Sequence, residues 1–377
     1  MRQPIEDWLT LLLAPGVGSR RSHRLAEAFD SPLGWITASD QQLREAGLSP
    51  AMIRSLRQPD PAAMEGCLDW LKADNHHLIT LDDPLYPPLL KSVEEPPLAL
   101  FVVGDPGHLV RPQVAIVGSR NATTGGLDHA RDFAATLARA GFVVTSGLAD
   151  GVDGQAHAGC LDAGGQTLAV MGTGPDRVYP ARHKALARRI CQHGALITQF
   201  VPGTEPKPGH FPVRNRIISG MTLGTLVVEA GLRSGSLITA RQAADQGREV
   251  FAIPGSVHNS LARGCHRLIR DGARLVETAD EVVEALAPLA EELAGEIGKL
   301  LASDLPPALD KSRKAPHLLD DPDYQRLLDA LGFDPTPVDQ VIQRSQLTAA
   351  EVSSMLLMLE LDGLVDTHPG GRYSRNR

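Results

Sequence analysis

The chain has 377 residues, 42% hydrophobic and 22% charged, with a formal net charge of −8 at pH 7, which implies two or three domains rather than one core. No stretch approaches the roughly 20 apolar residues of a membrane helix, and MRQPIEDWLTLLLAPG has too short an apolar run for a signal peptide, so a cytoplasmic protein is expected. The cysteines Cys67, Cys160, Cys191 and Cys265 form no CxxC pair, so scattered reduced thiols are expected, with no zinc site and no other cofactor.

Residues 1–75 read as a domain of short helices, Trp8–Ala14, Ser19–Phe29, Ser39–Ala46 and Pro50–Leu56, each with apolar residues at helical spacing. Pro15-Gly16-Val17-Gly18 resembles the hairpin of helix-hairpin-helix modules, with Arg20, Arg21 and Arg24 beside it. A small domain for contacts with partners, or a cap, reads equally well. Residues 76–112 are proline-rich and read as a lead-in with an edge strand at Ala99–Val103.

From there the pattern becomes α/β. The strands are Val114–Val117, Phe142–Thr145, Thr167–Met171, Leu196–Gln199, Thr225–Glu229 and Glu249–Ile253. Helices alternate with them, among them Gly126–Ala140 and one ending near Ala163. Such alternation implies a doubly wound parallel sheet over residues 76–290. The Gly-rich loops after the strands should then gather along its carboxyl edge, where such sheets bind ligands. The loop after Val117 reads GSRNATTGG, neither a dinucleotide fingerprint nor a P-loop. A nicotinamide-dependent dehydrogenase and ATP hydrolysis are both disfavoured.

The acidic net charge alone argues against nucleic acid, but its distribution does not. Between Arg177 and Gly220 stand eight Lys/Arg, including Arg182, Lys184, Arg214 and Arg216, against the single acid Glu205. A focused basic region on a negative body suits a phosphate site; the alternative is a solvated basic face. The stretch His210–Ala240 adds Phe211-Pro212-Val213-Arg214-Asn215-Arg216, a buried strand, and the loop Ser234-Gly235-Ser236 opening a further helix. Arginines on one helix and backbone N–H groups at the start of the next suit a ligand with several phosphates. Arg120, after a buried strand, faces the ligand edge and either binds phosphate or forms a structural ion pair. Lys184 binds phosphate or is only solvated. Arg214 and Arg216, two apart, cannot share a helix face, so one reaches the ligand while the other pairs with Glu229 or a neighbouring loop. Glu229 reads as the orienting partner of an arginine rather than a catalytic base, and Asp150, Asp153 and His157 read as structural.

Leu286–Pro316 reads as a helix that becomes a linker, placed at 291–317. Residues 318–377 carry helices at Tyr324–Leu331, Pro337–Arg344 and Thr348–Asp362, then a two-stranded wing around Gly370-Gly371. This is a winged-helix pattern. Its second motif helix, TAAEVSSMLLMLELD, has no basic residue, and His317–Arg377 holds five Arg against ten acids. A module for protein contact is favoured over a base reader.

Six segments then occur in order: VAIVGSR at Val114–Arg120, TSGLADGVDGQAH at Thr145–His157, VMGTGPDRVYP at Val170–Pro180, FPVRNRIISG at Phe211–Gly220, VVEAGLRSGSLITARQA at Val227–Ala243 and VFAIPGSVHNSLARGCHRLIRDGA at Val250–Ala273. Together they resemble the DNA-processing protein A (DprA/Smf) family over roughly Leu78–Glu284. The resemblance implies a helical N-terminal domain like a sterile alpha motif, an extended Rossmann fold and a winged-helix tail. It further implies a dimer that binds single-stranded DNA in natural transformation, protects it and loads the recombinase RecA, with other competence proteins as possible partners of the tail. Its binding pocket would comprise Gly118, Ser119, Arg120, Arg182, Lys184, Phe211, Arg214, Asn215, Arg216, Ser234, Gly235 and Ser236. Position 183 is His where many members carry Asn.

Beside the resemblance, sequence-independent binding of a single strand needs a positive groove and flat groups for bases. With aromatics at 4%, Tyr179 and Phe211 are the nearest stacking candidates, and phosphate contacts should dominate. Two rivals remain: a phosphoribohydrolase-like enzyme, whose PGGxGTxxE signature Gly224, Thr225 and Glu229 echo only distantly, and a nucleotide-binding sensor signalling through the winged helix.

Overall fold

Short apolar runs that are buried on both faces form the strands of one large sheet. The structure, a computed structural model, describes residues 5–17, 25, 28–29, 33–303, 322–331, 336–345, 347–348, 352, 355–356, 359, 365–368 and 372–375. The chain divides into two compact units, Met1–Asp304 and Leu305–Arg377. The helix expected at Ser19–Phe29 and its neighbouring arginines, most of Thr348–Asp362, the linker beyond 303 and Gly370-Gly371 lie wholly or largely outside the described residues.

In the first unit the strands are β1 (His76–Thr80), β2 (Ala99–Gly104), β3 (Gln113–Val117), β4 (Val143–Ser146), β5 (Thr167–Val170), β6 (Gly194–Thr198), β7 (Gly224–Val227), β8 (Glu249–Ala252) and β9 (Arg274–Leu275). Their spatial order is β1-β2-β6-β5-β4-β3-β7-β8-β9. From β6 to β9 all neighbours are parallel, and β2 and β1 extend the sheet antiparallel. The parallel part starts at β3, winds outward through β4, β5 and β6, then returns to lay β7 against the other side of β3, Val114 beside Gly224 and Val117 beside Val227. This is the doubly wound fold that the alternation of strands and helices implied.

Alternate residues of β3 face opposite layers, as the strand period requires. Val114 and Ile116 pack with Phe133 and Leu137 of the helix Thr124–Arg139, and with Val282 and Leu286. Ala115 and Val117 belong to the other core, with Ile217 and Ile218 of the helix His210–Met221 and Leu237 and Ala240 of the helix Ser236–Asp245. That second core also takes in Trp8, Leu9 and Leu11, so the N-terminal helices share it with the sheet. Ser39 caps the helix Asp40–Glu45 through a reciprocal box with Gln42, and Ser49 caps Pro50–Arg57.

Two elements depart from the sequence reading. Ala99–Gly104 is not an edge strand: all six residues are buried between β1 and β6, as an unbroken apolar run requires. The edge is His76–Thr80, whose alternation is too short to stand out. A helix at Pro61–Trp70, capped by Asp60 with Pro61 in its first turn, was also not anticipated; Cys67 is its one fully buried residue, so it lacks a strong apolar stripe. The helix Ala279–Ser303 runs on past position 290. No described helix is long and apolar enough to cross a membrane.

The second unit has the helix Pro322–Leu331, the short strand Thr336-Pro337, the helix Val338–Ser345 and the strands Val365–His368 and Arg372–Arg375. The hairpin gains Thr336-Pro337 as a third strand, against Arg372–Tyr373. Leu327, Leu331, Val341, Val352, Leu356 and Leu359 fill its core. This is a winged-helix arrangement.

The close approach of β3 to its neighbours depends on a glycine. A Cβ on Gly118 would stand 2.5 Å from Val152 Cγ2 and 3.0 Å from the Glu229 carbonyl oxygen. Gly118→Ala is therefore expected to cost about 1–3 kcal/mol of stability, read as a lower calorimetric midpoint; an unchanged midpoint would show that the loop relaxes freely.

Candidate functional site

The winding reverses between β3 and β7, so the loops that follow these strands diverge. The helix after β3 packs on one face of the sheet and the helix after β7 on the other. Between them opens a cleft of about 710 Å³, at the position where open α/β sheets receive ligands. Gly118, Ser119 and Arg120 enter from the first loop, Ser234, Gly235 and Ser236 from the second, and Phe211, Arg214 and Asn215 from the helix His210–Met221. Nine of the twelve residues expected at the site thus line one cavity. Arg182 lines an adjacent cavity of about 530 Å³ that shares Arg120. Lys184 and Arg216 line neither. Lys184 is exposed at the start of the helix Lys184–His193, one residue beyond His183 of the second cavity. Arg216 turns away and donates from Nη1 to the Glu94 carbonyl at 2.9 Å, as two positions apart on a helix demands.

Arg214 is the organising side chain of the cleft floor. It is 4% exposed. Its Nη1 donates to the carbonyls of Gly147 and Val170, and its Nε to Asn215 Oδ1 at 3.0 Å. A Cβ on Gly147 would collide with the guanidinium. Burial pulls the Arg214 pKa down to about 10, with nearby Asp153 opposing the shift, so the group stays charged at neutral pH. Burial pushes the Asp153 carboxyl up, against the pull of Arg214 and of the Gly147 and Ala149 N–H groups it accepts at 3.2 and 3.4 Å. Asp153 thus serves as the structural acid expected. His157, fully buried, donates or accepts through Nδ1 at 2.7 Å from Thr167 Oγ1, and burial lowers its pKa to about 3. It is neutral and structural.

Phe211 is less a free platform than a spacer between cations. The Arg120 and Arg214 guanidinium carbons lie 5.3 and 5.9 Å from its ring centre, within cation–π range. Tyr179, 5.8 Å away and half-exposed, is the ring open to a stacking partner. On the opposite wall the helix Ser236–Asp245 begins without a side-chain cap, while Ser234 Oγ and Ser236 Oγ bond each other at 2.6 Å.

The basic stretch is partly neutralised by acids both near and distant in sequence. Arg177 pairs with Asp176 and Glu205, Arg182 with Asp150 and Arg189 with Asp162. Asp150, expected to be structural, is the partner of Arg182. Among the described residues no carboxylate lies within ion-pair distance of Arg120, Lys184, Arg188, Lys207 or Arg233. Arg233, which lines the cleft, was missed; its signal was an arginine directly before the Ser-Gly-Ser that opens a helix.

Among the described residues Glu229 pairs with no arginine. Its Oε2 accepts the Thr123 backbone N–H at 2.8 Å, and its Oε1 accepts the Thr123 hydroxyl at 2.7 Å and Asn259 Nδ2 at 3.1 Å. Thr123 Oγ1 in turn caps the helix Thr124–Arg139 by accepting from Gly126 N. The carboxylate therefore ties the ends of β3 and β7 to the loop after β8, and both its oxygens are engaged. Among the described residues no cluster of His, Cys, Asp or Glu could hold a metal ion.

The family model for DNA recombination-mediator protein A matches residues 77–287, and that for the DprA winged helix domain matches residues 309–371. The chain is 41% identical over 337 residues to Protein Smf of Escherichia coli (strain K12), covering 89% of this chain and 87% of that protein. It is 34% identical over 389 residues to Protein Smf of Synechocystis, covering 98% of each. Among solved structures, DNA processing protein A from Streptococcus pneumoniae matches with a TM-score of 0.68 at 33% identity, over 75% of this chain and 98% of that one. DNA processing protein A from Helicobacter pylori, described for its unique single-stranded DNA binding mode, matches with a TM-score of 0.51 at 28% identity, over 56% of this chain and 96% of that one.

Glu229→Ala would leave the Thr123 N–H and Asn259 amide without their acceptor in a nearly closed junction. The expected loss is about 3 kcal/mol, the scale of removing a charged acceptor from buried donors, measured by urea unfolding. A loss below about 1 kcal/mol would show that the junction does not brace the cleft.

Proposed function

The chain belongs to the DNA recombination-mediator protein A (DprA/Smf) family, and we propose from that premise that it binds single-stranded DNA during natural transformation, protects the incoming strand and loads RecA onto it. The observation that carries this reading is the cleft at the β3/β7 switch point. It brings Arg120, without a carboxylate partner among the described residues, opposite the start of the helix Ser236–Asp245.

In this reading Arg120 and Lys184 neutralise backbone phosphates, Arg182 extends the contact, and Gly118, Ser119, Ser234, Gly235 and Ser236 offer backbone and hydroxyl donors that fit any sequence. Arg214 and Asn215 hold the cleft floor, Phe211 keeps Arg120 extended over the opening, and Arg216 anchors the helix through the Glu94 carbonyl. Tyr179 takes a base. With so few rings, affinity comes mainly from phosphate neutralisation and falls with salt. An enzymatic role for Glu229 is disfavoured because both its oxygens are engaged with Thr123 and Asn259.

The protein acts in the cytoplasm as a homodimer, with functional divisions at 1–75, 76–290, 291–317 and 318–377. The acidic winged helix contacts protein, either a second copy or another competence protein, rather than reading duplex.

The test is fluorescence anisotropy with a labelled dT oligomer and its duplex across a salt series. Wild type should prefer the single strand. Arg120→Ala should weaken binding about tenfold and Lys184→Glu more, each flattening the salt slope by about 0.7 per lost phosphate contact. Salt-insensitive binding, or equal affinity for Arg120→Ala, would overturn the reading. A chain ending at residue 304 should keep most of the single-strand affinity; a collapse would assign DNA contact to the winged helix.

A further inference from the structure

The cavity beside the main cleft holds an ion pair that packing does not explain. Arg182 and Asp150 both line it, together with Arg120, His183 and Arg189. The Arg182 guanidinium meets the Asp150 carboxylate edge to edge, Nε to Oδ1 at 2.5 Å and Nη2 to Oδ2. That fork is the geometry a guanidinium also offers to two oxygens of a phosphodiester. The two partners differ in freedom. The Arg182 side chain is 69% exposed and the Asp150 side chain 26%. Asp150 precedes Gly151, whose φ is +73° and whose Cβ position would collide with the Ser119 carbonyl oxygen and the Arg120 backbone. His183 Nε2 stands 3.4 Å from Asp150 Oδ1, and its Nδ1 lies 3.0 Å from the Leu148 carbonyl. The carboxylate is therefore held in the wall of the second cavity, and the arginine is the partner able to swing. Hydrogen bonding from Arg182, with further help from His183 and Arg120, holds the Asp150 carboxyl below its ordinary range, so it remains a full negative charge at neutral pH.

We infer that the second cavity is a further phosphodiester subsite, continuous with the main cleft across Arg120, in which Asp150 occupies the phosphate's place until a bound strand displaces it from Arg182. This rests on the reading of the main cleft as a single-strand site. An exposed ion pair is weak, so it yields to a phosphate delivered by a strand already held at Arg120, for which the effective local concentration is high. A free phosphate has no such advantage. Asp150 thereby screens the cavity from small anions and reserves Arg182 for polymer.

The experiment uses the full chain and its Asp150→Asn, Arg182→Ala and double variants, with dT oligomers of increasing length and inorganic phosphate as competitor. Thermal midpoints check that each variant is folded. On long oligomers Asp150→Asn should tighten binding about 2- to 5-fold, the scale of an exposed pair. Arg182→Ala should weaken it and lower the salt slope by about 0.7. In the Arg182→Ala background the gain from Asp150→Asn should vanish, and oligomers only long enough to fill the main cleft should respond to neither change. A gain that persists without Arg182 would make Asp150 a general repulsive charge and overturn the inference, as would unchanged or weaker binding by Asp150→Asn. Displacement of long oligomers by inorganic phosphate from wild type as readily as from Asp150→Asn would show that Asp150 does not screen the cavity from small anions, also overturning it. Failure of the underlying reading would look different: wild type itself would not bind single strands, or Arg120→Ala would bind as well.

Discussion

Where the strand order reverses beside β3, two adjacent parallel strands must send their chains to opposite faces of the sheet. The gap this leaves cannot be closed by either following helix. Everything at the site follows from that constraint. Gly118 is needed because β3, Val152 and the end of β7 converge there with no room for a side chain. Glu229 closes the junction from below by bonding Thr123 and Asn259. Above it the opening is left to Arg120, Arg233 and the start of the helix Ser236–Asp245.

Beneath the cleft the chain accepts a buried cation, which costs free energy unless its donors are met. Arg214 satisfies this by binding two carbonyls and Asn215 with Asp153 nearby. Gly147 follows β4 and Val170 ends β5, so the guanidinium draws together the ends of two strands and the helix that carries Phe211. Its charge also bears on Arg120: each guanidinium lies against the Phe211 ring, and their mutual repulsion favours an Arg120 directed out toward the opening. A structural cation thus sets the direction of the one at the opening.

Much of this was legible in the sequence because the loops announce themselves. Gly118-Ser119-Arg120 and Ser234-Gly235-Ser236 are small residues ending apolar runs, and such loops must collect at one edge of a parallel sheet. The two-residue spacing of Arg214 and Arg216 foretold their separation, though not which would be buried. What stayed hidden depends on pairing over distance. Glu229 meets Thr123 across 106 positions, and Asp150 meets Arg182 across 32, so no local pattern could reveal either. β1 escaped because five residues of weak alternation acquire meaning only once β2 lies beside them.

The same distances explain how an acidic protein can suit a polyanion. Counting charges along the stretch Arg177–Gly220 overstates its field, since Asp150 and Asp162 return to two of its arginines from outside it and Asp176 flanks a third. What folding leaves is smaller but better placed: Arg120 and Arg233 at the cleft, Lys184 just beyond it. Fields from exposed charges fade beyond about 10 Å at moderate salt, so the acids elsewhere on the chain bear only weakly on the cleft. They do oppose indiscriminate approach of polyanions to the rest of the surface. Net charge and site charge therefore answer different questions, and the cleft is governed by the second.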